Sequence, residues 1–313
     1  GMMDDGGSNA VVRDEFGLLP LSDIRKSLIA LYDIGSNEVL RKLFMYRFSS
    51  GEGIKGHTLG NLLMVAMTDI LGSEVEAIEM FKTIFSIKGD IIPVTLDDSR
   101  LVAEYENGEV IEGEHLIDEP EDDRNITRIY LKPAAKANEN AIRAIEKADY
   151  IILGPGDLYT TTLANIVVDG IKQSIQKSKA KIICIGNLMS KKGQTRNLTQ
   201  SGYLKIVERY IGRNVDYFLI NNGKIPTKAY ERYLKKGEHI IVDDLSAEET
   251  KAKIIRADLV ATAPVVREKG DKLERSLVRH DSKKLFRELN KIFYSESTLI
   301  SKLFGTFISY YKD

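Results

Sequence analysis

The most regular apolar spacing in the chain follows Thr58. Leu59, Leu62, Leu63, Ala66, Met67, Ile70 and Leu71 recur at i, i+3 and i+4, which predicts an α-helix with this stripe in the core. Two shorter helical patterns precede it. Residues 21–32 have Pro20 in front, Ser22 as a cap, and Ile24, Leu28 and Leu31 on one face; a second helix from Ser36 carries Val39, Leu40, Leu43 and Phe44. Ser73 with Glu76 makes a capping-box pattern opening a further helix, whose inner face is Val75, Ile78 and Phe81 or Phe85. Between residues 91 and 131 the pattern changes to short strand-type runs. Asn107-Gly108 is a two-residue turn between residues 101–105 and 109–111, so a small inserted sheet is expected there.

From Asn138 onward helices alternate with short apolar runs: a helix to Ala148, strand 150–153, helix 161–176, strand 181–185, helix 199–211 and strand 217–220. Strands apolar throughout their length are covered on both faces. The fold class is therefore α/β, a Rossmann-like three-layer parallel sheet with helices on both faces and a small inserted β-rich segment. The chain, 1–313, reads as a single α/β domain with an inserted helical and β-hairpin subregion at about 50–132.

Open parallel sheets bind ligands beyond the carboxyl ends of their strands. The strongest strand-end loop is Gly154-Pro155-Gly156-Asp157-Leu158-Tyr159-Thr160, between the strand ending at Leu153 and a helix with Leu163, Ile166, Val167 and Ile171 inward. Its glycines let backbone approach a ligand, and the helix start offers N–H groups to a phosphate. A plain tight turn would use the same glycines, and the six-residue dinucleotide fingerprint is missing, which disfavours an NAD-dependent oxidoreductase. Asp4-Asp5-Gly6-Gly7-Ser8 could set hard oxygen ligands beside a phosphate, suited to Mg²⁺, or form a capped acidic turn. Gly56-His57-Thr58-Leu59-Gly60-Asn61 places a candidate acid or base, His57, and an amide at the start of the best helix, with Thr58 as its cap. Asn187, Gln194, Thr195, Asn221 and Asn222 follow the next two strands, where amides suit base or sugar recognition. Asp281 is expected to cap a last helix with Leu285, Leu289, Ile292 and Phe293 in register, beside the fork-shaped Arg279. The acidic stretch 118–123 reads as a solvated loop.

Composition narrows the partners. Lysine and arginine (45) balance aspartate and glutamate (46), so no overall field draws nucleic acid or an anionic membrane. One cysteine, Cys184, forms no intramolecular disulfide, and four histidines show no zinc-type spacing. With no apolar run near ~20 residues and no signal-type amino terminus, a cytoplasmic protein is expected, with neither nucleic acid nor membrane as partner.

Six blocks in order resemble the YvcK/CofD-like family. They are Asp4 to Ser8 with Arg13-Asp14; Pro20-x-x-Asp23-Ile24-Arg25; Gly56 to Asn61; Gly154 to Thr160; Asn187-Leu188-Met189 through Gly193-Gln194-Thr195; and Arg279-His280-Asp281. The resemblance runs from Met2 to about Leu289. The Gly-Pro-Gly-Asp-Leu-Tyr-Thr loop is similar to the gluconeogenesis-factor branch rather than to the 2-phospho-L-lactate transferases. That likeness implies a protein that binds UDP-sugars and connects carbon metabolism with cell-wall precursor supply and cell shape through a regulated enzyme partner. By position it implies Asp4 and Asp5 as metal ligands, Asp5, Gly6, Gly7 and Ser8 as the metal or phosphate loop, Gly154 to Thr160 as the diphosphate loop, Asn187 and Thr195 at the ligand rim, and Tyr233 and Arg279 as nucleotide-sugar contacts. The alternative is a Mg²⁺-dependent transferase of a phosphorylated group from a nucleoside diphosphate donor, with Asp5 holding metal and His57 or Asp157 near the acceptor. Family members begin with a strand and a Gly-Gly-Gly-Thr-Gly loop that this sequence starts after, so the first strand is expected to be missing. The oligomeric state stays open, a homodimer included.

Overall fold

The structure is a computed structural model that describes residues 2–3, 5, 20–32, 38–120, 124–246, 248–262 and 278–303, with side chains to 296. The chain first forms α1 (Ser22–Leu31), α2 (Glu38–Met45), α3 (Leu59–Leu71) and α4 (Glu74–Ile84). Next come β1 (Arg100–Tyr105), β2 (Val110–Glu112), the short α5 (Glu114–Asp118) and β3 (Ile126–Lys132). The remainder alternates: α6 (Glu139–Lys147), β4 (Tyr150–Leu153), a π-helical turn (Leu158–Leu163), α7 (Ala164–Ile166), α8 (Ile171–Lys177), β5 (Lys181–Ile185), α9 (Gln200–Ile211), β6 (Tyr217–Asn221), α10 (Thr227–Leu234), β7 (Lys253–Ala257) and α11 (Ser282–Leu303).

Strands β4-β5-β6-β7 form one sheet in that order, every pair parallel. The pleat sends alternate residues to opposite faces. Ile182 and Cys184 of β5, with Phe218 and Ile220 of β6, join the main core, where Leu204, Val207 and Ile211 of α9 and Ile171 and Ile175 of α8 also lie. Ile183, Ile185, Tyr217 and Leu219 point the other way and pack with Ile292, Leu285, Leu289 and Phe293 of α11. Burial on both faces is why these strands read as unbroken apolar runs. Asp281 caps α11, its Oδ1 accepting from the backbone N–H groups of Lys283 (2.9 Å) and Lys284 (3.0 Å). The inserted sheet is antiparallel, β2-β1-β3. Its tight turn contains Gly108 at φ +85°, a left-handed conformation that glycine adopts without a Cβ penalty. Among the described residues no helix is long and apolar enough to cross a membrane.

Two expectations change here. Helix α3 forms where its spacing predicts, with Thr58 as N-cap, but it is rotated: it buries Gly60, Asn61, Met64, Val65 and Thr68, while Leu63, Ala66 and Ile70 of the predicted core stripe are exposed. Polar contacts account for the rotation. The buried Arg25 of α1 donates from Nε to Asn61 Oδ1 at 2.7 Å, and Asn61 Nδ2 donates to Ser22 Oγ at 3.0 Å. These bonds draw the Asn61 face inward, since leaving such groups buried without partners costs about 1–3 kcal/mol each. The second change is the helix expected at 161–176, which is a π turn, α7, a break and α8. Residue 169 leaves the helix to pair with the strand-like segment before α6: Ala137 N–H donates to Asp169 O (2.8 Å), and Asp169 N–H donates to Ala135 O (2.9 Å). Gly170 then turns the chain at φ +100°.

Gly60 supplies a test of the α1–α3 packing. An alanine in a helix interior ordinarily stabilises by about 1 kcal/mol relative to glycine, but a Cβ at Gly60 would press into the Phe44 carbonyl oxygen and lie 2.7 Å from Arg25 Cδ. Gly60→Ala is expected to destabilise by about 1–3 kcal/mol in urea denaturation. Gly202→Ala, whose nearest neighbour is the flexible end of Leu198 at 2.8 Å, should cost less.

Candidate ligand site at the strand ends

The loop after β4 combines features that do not occur together elsewhere among the described residues. Gly154 sits at φ +82°, and a Cβ there would lie 3.1 Å from the Ile185 carbonyl oxygen, so glycine allows the turn to lie against the end of β5. A Cβ on Gly156 would lie 2.8 Å from Thr161 Cγ2. The π turn follows directly. Thr161 and Thr162 donate their N–H groups to the Asp157 carbonyl (3.1 and 2.9 Å), and Tyr159 N–H donates to Gln194 Oε1 at 3.4 Å. Thr162 is buried, and its Oγ1 has no hydrogen-bond partner. Wide helical turns of this kind are frequent at functional sites.

Lys191 organises the side chains around this loop. Its Nζ donates to Asp157 Oδ2 at 2.7 Å and to Asp118 Oδ1 in a shorter contact. Asp118 Oδ1 also accepts from Thr160 Oγ1 (2.9 Å) and Gln194 Nε2 (3.2 Å). Burial works against the charge on Lys191, and Asp157 and Asp118 overcome it, holding its pKa above the ordinary lysine value. Burial also pushes Asp157 up; Lys191 pulls it back and the Asp118 charge adds to the rise. Asp118 is therefore no solvated loop residue, as its acidic stretch suggested, because three donors from distant segments converge on it. Thr195 is buried and accepts from the Lys191 N–H at 2.9 Å, closing the turn that carries Lys191.

At the end of β5 two further polar atoms are buried without partners. Gln200 Nε2 donates to the Asn187 carbonyl at 3.1 Å, which leaves Gln200 Oε1 without a partner. His280 hydrogen-bonds the backbone of Gly186, and its Nε2 has none. Burial pushes the His280 pKa down to about 4, so its ring is neutral at pH 7. Two acceptors thus lie beside Gly186, and the hydroxyl of Thr162 lies beside Gly156.

The other expected site residues fall as follows. Leu158 and Tyr159 are core residues, with Tyr159 Oη donating to the Ile126 carbonyl of β3 at 3.3 Å. Pro155 follows Gly154 through a cis peptide bond. Tyr233 on α10 accepts from the Val278 N–H at 3.4 Å, which brings it beside Arg279, an exposed side chain. Asn221 is engaged structurally, its Oδ1 accepting from Leu259 N–H (2.9 Å) and Gly223 N–H (3.1 Å). Asp5 lies against the insert: its Oδ1 accepts from the His115 N–H at 2.9 Å, capping α5, and its Oδ2 faces Arg100 Nη1 at 3.4 Å. His57 lies in the turn between α2 and α3, its carbonyl accepting from Phe48 N–H. Asn61, expected near a ligand, is instead buried against α1. Asp4, Gly6, Gly7, Ser8, Arg13 and Asp14 lie outside the described residues. Both oxygens of Asp5 are engaged, and among the described residues no group of three or more His, Cys, Asp or Glu comes together as a metal site. Among the described residues, the surroundings of Asp5 therefore do not fit a Mg²⁺ site.

The parallel sheet flanked by helices makes this an α/β protein, and the glycine loop and unpartnered polar groups at its strand ends mark its candidate ligand site. The family model described as 2-phospho-L-lactate transferase CofD matches residues 1–260. A putative gluconeogenesis factor of Thermotoga maritima is 38% identical over 289 residues, covering 92% of this chain and 88% of that protein. A gluconeogenesis factor of Halalkalibacterium halodurans is 36% identical over 244 residues, covering 77% and 74%. Two crystal structures of a Bacillus halodurans protein, described in one as a member of the UPF0052 family, superpose with TM-scores of 0.81 and 0.80 at 30% and 31% identity. They are covered to 88% and 87% of their length by 91% of this chain. The chain belongs to the CofD family, among the proteins named gluconeogenesis factors.

The neutral state of His280 predicts a pH dependence. The unfolded imidazole takes up a proton as pH falls through 6.5, whereas the folded one resists until about 4. The stability associated with His280 is therefore fully present above pH 6.5 and is lost between pH 6.5 and 4, on the order of 3 kcal/mol. Chemical denaturation across that window should show the loss, and His280→Asn should remove this share of the slope. Lys191→Met leaves Asp118 and Asp157 facing each other; discounted for partial exposure, a loss of about 1–3 kcal/mol is expected in the same assay.

Proposed function

We propose that this protein is a cytoplasmic binding protein for a nucleoside diphosphate sugar of the UDP-sugar type. Its occupancy would regulate a partner enzyme and so link carbon metabolism to cell-wall precursor supply and cell shape. The observation that carries the reading is the set of unpartnered buried polar atoms at the strand ends: Thr162 Oγ1 beside the glycine loop, and Gln200 Oε1 and His280 Nε2 beside the end of β5. A diphosphate is a string of acceptors suited to a hydroxyl donor and to the close backbone approach that glycines allow. A sugar or base brings O–H and N–H donors, which two neutral acceptors satisfy. In this reading the backbone at Gly154 and Gly156 and the Thr162 hydroxyl hold phosphate. Tyr233 and Arg279 flank the nucleotide sugar, and Asn187 forms part of the rim.

Lys191 gives the site a way to answer an anion. Its ammonium is shared by Asp118 and Asp157, and a phosphate entering beside Gly156 competes with Asp157 for it. Asp118 belongs to the insert, so the competition couples ligand charge to the position of that insert. The description of the family model supports a second reading, transfer of a phosphorylated group from a nucleoside diphosphate donor, with Asp5 and His57 as the residues to test.

Isothermal titration of the full chain with UDP-sugars, UDP, GDP and GTP tests both. The expected result is saturable binding of a UDP-sugar at one site per chain, weakened tenfold or more in Thr162→Val and in Gln200→Leu, a loss of about 1.4 kcal/mol or more. Absence of binding by all four ligand classes overturns the reading. Turnover of a nucleoside diphosphate donor, lost in Asp5→Asn with affinity retained, would favour the transferase instead.

A further inference from the structure

Helix α10 lies beyond the strand ends and buries no residue completely. Ala229, Tyr230 and Tyr233 are half-buried against the cluster of Leu188, Met189, Val260 and Val278, and this contact defines the inner face of the helix. Lys228, Arg232 and Lys235, at spacings of four and three residues, fall together on the opposite face, and all three are exposed. Lys224, also exposed, stands just before the helix. Residues 224–236 contain Lys224, Lys228, Arg232, Lys235 and Lys236 against Glu231, in a chain whose charges balance overall. Three other helices pair their surface cations within one turn: Lys42 with Glu38 on α2, Lys82 with Glu79 on α4 and Arg143 with Glu139 on α6. On α10 Glu231 has the spacing to pair with Lys228 or Lys235, yet among the described residues neither lysine nor Arg232 engages a carboxylate. The outer face of α10 is a row of uncompensated cations.

Charge decides what such a face accepts. Three cations along one side of a helix span about 10 Å, and they match carboxylates at the same four-and-three spacing on a helix laid alongside. A lipid surface fits less well, because an interfacial helix needs an apolar face beside its cations, and Ala229, Tyr230 and Tyr233 are turned inward. Single-stranded nucleic acid also fits less well, because its bases stack on accessible aromatic rings and both tyrosines of this helix pack on the cluster beneath it. We propose that the outer face of α10 is the docking surface for a partner protein that presents an acidic helix. The same helix is tied to the strand-end site, since Tyr233 Oη accepts from the Val278 N–H at 3.4 Å and Arg279 follows directly. Docking stands on α10 itself; its dependence on ligand rests on the reading above, in which Tyr233 and Arg279 flank a nucleotide sugar. In that case occupancy changes the affinity for the partner, and the partner changes the affinity for the sugar by the same factor.

Fluorescence anisotropy of the full chain with a labelled, alanine-rich helical peptide carrying glutamates at alternating spacings of four and three residues tests the docking. The same peptide with glutamine at those positions is the blank. Saturable binding of the glutamate peptide is expected, weakened by salt and weakened about tenfold or more when Lys228→Glu is combined with Arg232→Glu. Lys147→Glu combined with Lys179→Glu makes the same change in net charge at exposed residues ahead of β4 and β5, at the other end of the sheet, and should leave the affinity little changed. No binding of the glutamate peptide, or equal loss in both charge-reversed pairs, overturns the proposal. Tighter binding of an oligouridylate or of phosphatidylserine vesicles, abolished by the α10 pair, overturns it as well, because the face then serves a nucleic acid or a membrane. Saturating UDP-sugar should shift the peptide's dissociation constant about threefold or more. If the sugar binds and that constant stays put, the coupling is overturned; if no sugar binds, the ligand reading fails while the peptide measurements still decide the docking.

Discussion

Lys191, held between Asp118 and Asp157, is the interaction on which the strand-end architecture depends. It joins three segments that are far apart in the chain: the end of α5 in the insert, the glycine loop after β4 and the turn after β5. Two carboxylates brought this close repel each other, and a shared ammonium turns that repulsion into a bridge. Thr160 and Gln194 complete the bridge by donating to the same Asp118 oxygen. The insert is fastened alongside by two tyrosines. Tyr159 donates from the π turn to the Ile126 carbonyl, and Tyr210 on α9 accepts from the Ile129 N–H at 2.9 Å. The shape of the glycine loop is therefore a property of the insert as much as of the sheet.

Around this bridge the polar groups divide by chemistry. The loop side holds the buried hydroxyl of Thr162, while the β5 side holds acceptors from Gln200 and from a histidine kept neutral by burial. The Asp5 carboxylate takes no part in it, because the first turn of α5 lacks a capping side chain of its own at Gly113 and Asp5 supplies the missing acceptor.

Helix α3 shows how a few polar bonds can outweigh an apolar pattern. Its outward stripe is more regular than its buried face, yet Asn61 and Arg25 must be satisfied where they are buried, and they set the rotation. Leu63, Ala66 and Ile70 on the other side then face outward.

Local rules determined much of this protein. Continuous apolar runs identified β4, β5 and β6 but not β7, whose Lys253 and Arg256 are exposed and interrupt its apolar pattern, while the Asn107-Gly108 turn and the caps at Thr58, Ser73 and Asp281 act within a few residues of themselves. The loop from Gly154 to Thr160 was readable for the same reason, bracketed by a strand pattern and a helix pattern. Only the tertiary structure decided which face of α3 is buried, where the helix after the π turn breaks, and that Asp118, Lys191, Gln200 and His280 belong to the strand ends. Those outcomes depend on contacts between residues tens of positions apart, such as Asp118 with Lys191, and spacing along the chain carries no record of a distance that folding creates.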